Sequence, residues 1–288
     1  MTTIPDYLVI GAITKDLVPG GYTVGGTVTY AAVTAHRLGQ RVGVVTSAAP
    51  DLLVPPLLDG VEVVRVPAQA TTTFRNIYVN GRRQQYVNAL ANPIRPDHIP
   101  PAWRRVPMVH LGPLVREIDE SLVHHFPASR VIATPQGWFR SWDETGYVTL
   151  GDWSGAERLL PHLTALVLSD EDVSGDPACI QRFAAMTRTL VVTQGAHGAT
   201  VYHQGEVRHF PTRPAHEVDL TGAGDVFAAA FLIRLRETAQ APGGEDPWEA
   251  ARFANVVGSF SVEGQGPYAI PARDQVEAYL QHNRSTSQ

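Results

Sequence analysis

Short apolar runs alternate along this chain with stretches in which small and apolar residues recur at helical spacing. Tyr7 to Ala12 is a β-branched apolar run interrupted by glycine, which predicts a buried first strand. Val28 to Leu38 follows helical spacing, and Gly39 stands where a C′ glycine would close it. Arg41 to Ser47 and Val61 to Val66 read as further strands. Met108 to Gly112 and Arg130 to Thr134 read as parallel core strands, separated by a helical stretch from Glu117 to Phe126. Thr164 to Asp172 reads as a strand ending in acids, and Thr189 to Tyr202 as strand, glycine loop and strand. An apolar helix begins near Val226, a helix carrying Ala250, Ala251, Ala254 and Gly258 spans Pro247 to Val262, and a last helix runs from Asp274 to about Gln281. Strands alternating with helices predict an α/β fold with a mostly parallel sheet covered on both faces.

One stretch departs from that rhythm. From Thr71 to Val87 the chain is β-rich on both sides of Asn80-Gly81, a strong hairpin signal. Phe74, Asn76 and Tyr78 alternate with Arg75, Ile77 and Val79, as in a two-sided ribbon that covers something. A Pro-rich segment from Asn92 to Pro101 then returns the chain to the main sheet.

The chain has 288 residues, a length that α/β folds reach as one domain, so residues 1–288 are expected to form a single unit. The net charge of −5 comes with scattered basic residues, Arg82-Arg83 and Arg104-Arg105 being only pairs, so nucleic acid is not an expected partner. Cys179 is the sole cysteine, which excludes an internal disulfide and thiolate zinc sites. Met1 to Asp6 lacks the basic and apolar regions of a signal peptide, and Val226 to Ile233 is too short to span a bilayer. These features lead us to expect a cytoplasmic protein without a membrane partner. Lys15 is the only lysine, and no G-x-x-x-x-G precedes it. Any phosphate would therefore be held by backbone amides, arginine and metal.

That requirement directs attention to Val218 to Leu232. Gly222, Ala223 and Gly224 run into Asp225 and then into an apolar helix. Backbone amides at a helix N-terminus make an anion site, and small residues let the anion approach. An acid in such a nest would repel phosphate unless it had another task. Accepting the proton of a substrate hydroxyl beside the phosphate is that task.

Asp219-Leu220-Thr221-Gly222-Ala223-Gly224-Asp225 resembles the D-T-x-G-A-G-D motif of the PfkB (ribokinase-like) carbohydrate kinases. The resemblance implies a ribokinase-like three-layer α/β/α sandwich with a small β lid, here assigned to about residues 14–24 and 70–90, through which homodimers can form. It implies ATP and Mg²⁺, and allows a monovalent cation near Asp219. Asp225 would be the base, and Gly222, Ala223 and Gly224 the anion hole.

The order of strand, Asp16, Gly25-Gly26 and helix is similar to the family's N-terminal signature, in which the acid and the Gly-Gly turn hold the acceptor. Tyr30 stands near where many sugar kinases carry Asn, which suggests a different hydroxyl pattern or a less polar substrate edge. Thr134 to Asp143 holds three aromatics, Gln136 and Arg140 directly after a strand. It either shapes the substrate or phosphate end of the pocket or packs as an aromatic surface loop, and its form looks like the inositol-kinase branch. Ser169 and Asp172 occupy the place of the family's N-x-x-E motif, making Asp172 a metal candidate. Thr193, Gly195 and Gly198 match its T-x-G-x-x-G nucleotide loop. By family position Thr221 also falls on the nucleotide side, Asn255, Val257 and Gly258 would border adenine or ribose, and Ala239 to Asp246 is a Pro/Gly loop of the type that flanks the adenine pocket.

The reading is an ATP-dependent kinase acting on an alcohol of a small sugar or cyclitol. A nucleoside or vitamin-alcohol kinase of the same fold, and a catalytically degenerate ligand sensor, are its alternatives.

Overall fold

The computed structural model describes residues 3–79 and 82–285, so the Asn80-Gly81 turn lies outside the described residues. In chain order the strands are β1 (Tyr7–Gly11), β2 (Thr14–Val18), β3 (Gly21–Gly25), β4 (Val42–Ala48), β5 (Glu62–Pro67), β6 (Thr73–Val79), β7 (Arg82–Ala89), β8 (Met108–Gly112) and β9 (Arg130–Ala133). They continue with β10 (Arg140–Trp142), β11 (Val148–Leu150), β12 (Ala165–Ser169), β13 (Thr189–Thr193), β14 (Ala199–His203) and β15 (Glu206–Phe210). The helices are α1 (Thr27–Arg37), α2 (Gln136–Phe139), α3 (Ala156–Leu159), α4 (Pro177–Met186), α5 (Ala223–Ala239), α6 (Pro247–Ser261) and α7 (Arg273–Ser285).

The main sheet has nine strands in the order β15-β14-β13-β12-β9-β8-β1-β4-β5. The run from β13 to β5 is parallel throughout, and β14 and β15 add an antiparallel edge. Every residue of β1, β4 and β8 is buried, which is why these strands read as unbroken apolar runs rather than alternating ones. Phe227 and Phe231 of α5 and Phe253 of α6 fill one face of the sheet together with α1 and α7. Trp103, Phe126, Trp138, Trp153 and Phe183 fill the other. Three layers result.

Helix α5 is apolar on nearly all sides because it lies between the sheet and α6. Its 17 residues carry the chain roughly 25 Å. That length corrects one expectation. The loop from Ala239 to Asp246 sits at the amino edge of the sheet, where Glu245 pairs with Arg130 at 2.5 Å and Arg188 at 2.8 Å. It cannot flank a site at the opposite, carboxyl edge.

The stretch from Glu117 to Phe126 is a loop followed by a 3₁₀ turn over Glu120–His125, not a helix. The reason is local. Glu117 is buried and accepts hydrogen bonds from the amides of Ala12, Leu114 and Val115, which folds the chain back on itself before the turn.

A second sheet, β3-β2-β6-β7, stands apart and draws its strands from both sides of α1. The chain passes from β1 to β4 and β5 on one side and returns to β8 on the other. The crevice outside the carboxyl ends of β1 and β8 is therefore a topological switch point, where open α/β sheets take ligands.

Candidate active site

Gly222 is the N-cap of α5 in a left-handed conformation, φ 76°, that a side chain would strain. A Cβ there would also lie 2.2 Å from the Tyr30 ring. Tyr30 is only 5% exposed, so its ring floors the loop. The Asp219 carboxylate clamps the loop from below, Oδ1 accepting from the Thr221 amide and Oδ2 from the Gly266 amide, each at 2.9 Å. A Cβ on Gly224 would meet nothing within 4 Å; the Ala223 amide donates to the Leu220 carbonyl at 3.3 Å, and the other first-turn amides have no partner within the helix. An open, amide-lined helix start faces the crevice.

Asp225 sits in that first turn. One edge meets the crevice while protein surrounds the rest, and this burial raises its carboxyl from 3.8 to about 7. A hydrogen bond from the Thr27 hydroxyl and the charge of Arg140 oppose the rise, whereas Asp172 adds to it. Thr27 is present because Gly112 is bare: a Cβ on Gly112 would lie 2.2 Å from the Thr27 methyl.

Across the crevice, burial raises Asp16 of β2 from 3.8 to about 6, against the pull of Arg83, Arg140 and the Thr14 hydroxyl. Its Oδ2 lies over Gly25, where a Cβ would come within 2.3 Å. Gly26, with φ 91°, turns the chain into α1, and its Cβ would strike the Ala12 carbonyl at 2.3 Å. Gly26 is thus required by the fold, whereas Gly25 leaves room for the Asp16 carboxylate.

Arg140 is 5% exposed and donates from Nη1 to the Leu114 carbonyl at 3.2 Å. Its guanidinium lies 5.5 Å from the Phe74 ring centroid. Burial lowers it from 12.5 to about 10, Arg83 pushes the same way, and Asp172, Glu117 and Asp225 hold it up, so it stays cationic near neutrality. Asp172 is raised by its own burial and opposed by the Ser169 amide, by Arg140 and by the Gln136 amide group. The charge of Arg140 therefore acts on Asp16, Asp172 and Asp225 alike, and Arg83 adds to it at Asp16.

The two readings of Thr134 to Asp143 resolve by side chain. Trp138 stacks on Trp153, with centroids 4.7 Å apart, and anchors the segment in the core, while Gln136 reaches Asp172 at 3.5 Å. Ser169 and Asp172 form a reciprocal capping box, at 2.9 and 3.2 Å. With Oδ2 engaged there and Oδ1 facing Gln136, Asp172 suits a metal held through water rather than directly. Among the described residues no group of three or more His, Cys, Asp or Glu converges on one point. A divalent ion would depend on phosphate and water for its remaining ligands.

On the nucleotide side, Thr193 ends β13 with its hydroxyl on the Leu168 carbonyl at 3.3 Å. Gly195 and Gly198 both have positive φ, 54° and 96°, and a Cβ on Gly198 would fall 2.1 Å from the Phe210 carbonyl. Gly258 lies beside the Ala223 carbonyl. Val257 is a correction. It is wholly buried in the core beneath α5 and cannot border a nucleotide. Asn255 is likewise turned inward and donates to the Phe210 carbonyl at 2.8 Å.

Sequence reasoning missed Thr27 and Glu117. Thr27 directly followed the Gly-Gly pair, which was its only signal. Glu117 gave none.

Residues 158–273 match the sequence model of the pfkB family carbohydrate kinases. The chain is 28% identical to the fructokinase of Escherichia coli over 62% of each chain, and 29% identical to the inositol 3-kinase of Zea mays over 74% of this chain and 54% of that one. It thus spans only 62% and 54% of these two relatives. A solved pyrophosphate-dependent kinase in the ribokinase family, complexed with a pyrophosphate analog and myo-inositol, superposes with a TM-score of 0.78 at 23% identity, covering 94% of this chain and 99% of that one. The chain has the ribokinase-like three-layer fold.

Proposed function

We propose that this chain, which carries the carbohydrate-kinase region of the pfkB family, transfers a phosphoryl group from ATP to an alcohol of a small sugar or cyclitol. The observation that carries the reading is the placement of Asp225 in the first turn of α5, directly behind the Gly222 N-cap and the open Gly224, with the buried Arg140 near enough to act on its charge. A carboxyl raised to about 7 is basic enough to take a hydroxyl proton yet partly ionised at neutral pH. Asp225 takes that proton. The amides of Gly222, Ala223 and Gly224 and the Arg140 guanidinium stabilise charge on the phosphoryl oxygens. Asp16 and the Gly25-Gly26 turn orient the acceptor.

Mg²⁺, when bound, neutralises phosphate charge, and Asp172 would hold it through water. Asp219 is first a clamp, with lone pairs left over for a monovalent cation. The small sheet acts as a lid that excludes water from the crevice. Leu17, Val18 and Tyr22 are exposed on it and offer a surface for a homodimer.

A pyrophosphate donor is the second reading. It is favoured by the inward turn of Val257 and Asn255, two of the three residues assigned to the adenine or ribose, and by the pyrophosphate dependence of the structural neighbour. Asp225→Asn tests the common core of both. Turnover should fall by about 10²–10⁴-fold with donor binding retained, and unchanged turnover would refute the mechanism.

A further inference from the structure

Beneath the amino end of α5, three buried polar side chains, two on the adjacent strands β1 and β8 and one just past β9, form a string that no step above uses. The Tyr7 hydroxyl meets His110 Nδ1 at 2.8 Å, and His110 Nε2 meets the Thr134 hydroxyl at 3.0 Å. Tyr7 and His110 are 0% exposed and Thr134 8%. Burial pushes His110 down to about 3, so the imidazole is neutral and carries one N–H.

Its tautomer follows from hydrogen-bond bookkeeping. Among the described residues His110 is the only partner of the Tyr7 hydroxyl. Were Nδ1 to carry the proton, the phenol hydrogen would be stranded in the core without an acceptor, a cost that buried polar groups rarely bear. Tyr7 therefore donates to Nδ1, and Nε2–H donates to the Thr134 oxygen. Among the described residues nothing then accepts the hydrogen of Thr134.

Thr134 immediately follows β9 at the carboxyl edge of the sheet, two residues before Gln136. Its oxygen is 3.6 Å from the Cβ position of Gly112, the same bare glycine that admits Thr27 beside Asp225. We propose that Thr134 is an acceptor-positioning residue whose hydroxyl, oriented by Tyr7 through His110, donates a hydrogen bond to a hydroxyl oxygen of the bound polyol. The proposal rests on the kinase reading only for the identity of the polyol.

Calorimetric binding of myo-inositol and fructose, together with long-range ¹H–¹⁵N spectra of ¹⁵N-histidine protein, tests it without requiring turnover. Wild type should show His110 protonated at Nε2. Thr134→Val should weaken binding of the preferred polyol about tenfold, the size of one lost hydrogen bond, and Thr134→Ser should restore it. Tyr7→Phe, at the far end of the string, should shift His110 toward the Nδ1–H tautomer and weaken binding in the same direction. A wild-type Nδ1–H tautomer, no binding of either polyol, or wild-type affinity in Thr134→Val would each overturn the proposal. Polyol binding without phosphoryl transfer from any donor would sink the kinase reading instead, and the affinities of the Thr134 variants would still decide the role of Thr134.

Discussion

Asp225 should be a stability liability at the pH where it is useful. Its carboxyl is raised from 3.8 to about 7 by burial, so the folded protein binds a proton there more tightly than the unfolded chain does. The sign follows: the wild-type carboxyl costs nothing below about pH 4, where both states are protonated. It destabilises increasingly as pH rises, until about pH 7, above which both states are ionised. A shift of about three units corresponds to ~4 kcal/mol at most. Because one edge of Asp225 meets the crevice, solvent screening cuts this to roughly 2 kcal/mol. Asp225→Asn removes the charge at nearly constant volume. Relative to wild type it should gain about 2 kcal/mol at pH 8 and almost nothing at pH 4, read as about 4 °C in midpoint for a chain of this size. Paired thermal or urea unfolding of the two proteins at both pH values measures the difference, in which all other titrating groups cancel. Equal gains at the two pH values, or a loss at pH 8, would refute the burial argument for Asp225.

The acceptor side carries its own pH signature. Asp16 accepts hydroxyl hydrogens through both oxygens, and most strongly, when ionised, so the KM for the polyol should rise as pH falls through about 6, and Asp16→Asn should abolish that rise. Gly25→Ala places a methyl 2.3 Å from Asp16 Oδ2 and should raise KM at least tenfold by displacing the carboxylate, with little change in unfolding midpoint. Glu117→Ala strands three amides, those of Ala12, Leu114 and Val115, and should cost about 3 kcal/mol or more in urea denaturation.

What was legible in the sequence is what depends on neighbours along the chain. The Gly222 turn and Asp225 are set by backbone conformation within a few residues, and β1 announces itself by burial on both faces. The Gly25-Gly26 turn is legible for the same reason, since Gly26 must take a positive φ. Readings failed where distant parts decide. Glu117 accepts from Ala12, 105 positions away, and no local pattern reveals such a bond. The inward face of Val257 is fixed by how α6 rolls against α5, because α6 carries small residues that allow more than one rotation. The loop after α5 was misplaced because its position depends on how far that helix carries the chain across the sheet. Tyr7, His110 and Thr134 become neighbours only through the strand order β1-β8-β9.

The central claim is phosphoryl transfer to a sugar or cyclitol alcohol with Asp225 as base. ³¹P NMR of the wild type and Asp225→Asn, each supplied with Mg-ATP or Mg-pyrophosphate and a panel of fructose, ribose and myo-inositol, tests it most directly. The account predicts a new phosphomonoester resonance with one donor and at least one polyol, absent in Asp225→Asn. No phosphomonoester from any pairing, or equal product from the variant, would contradict it.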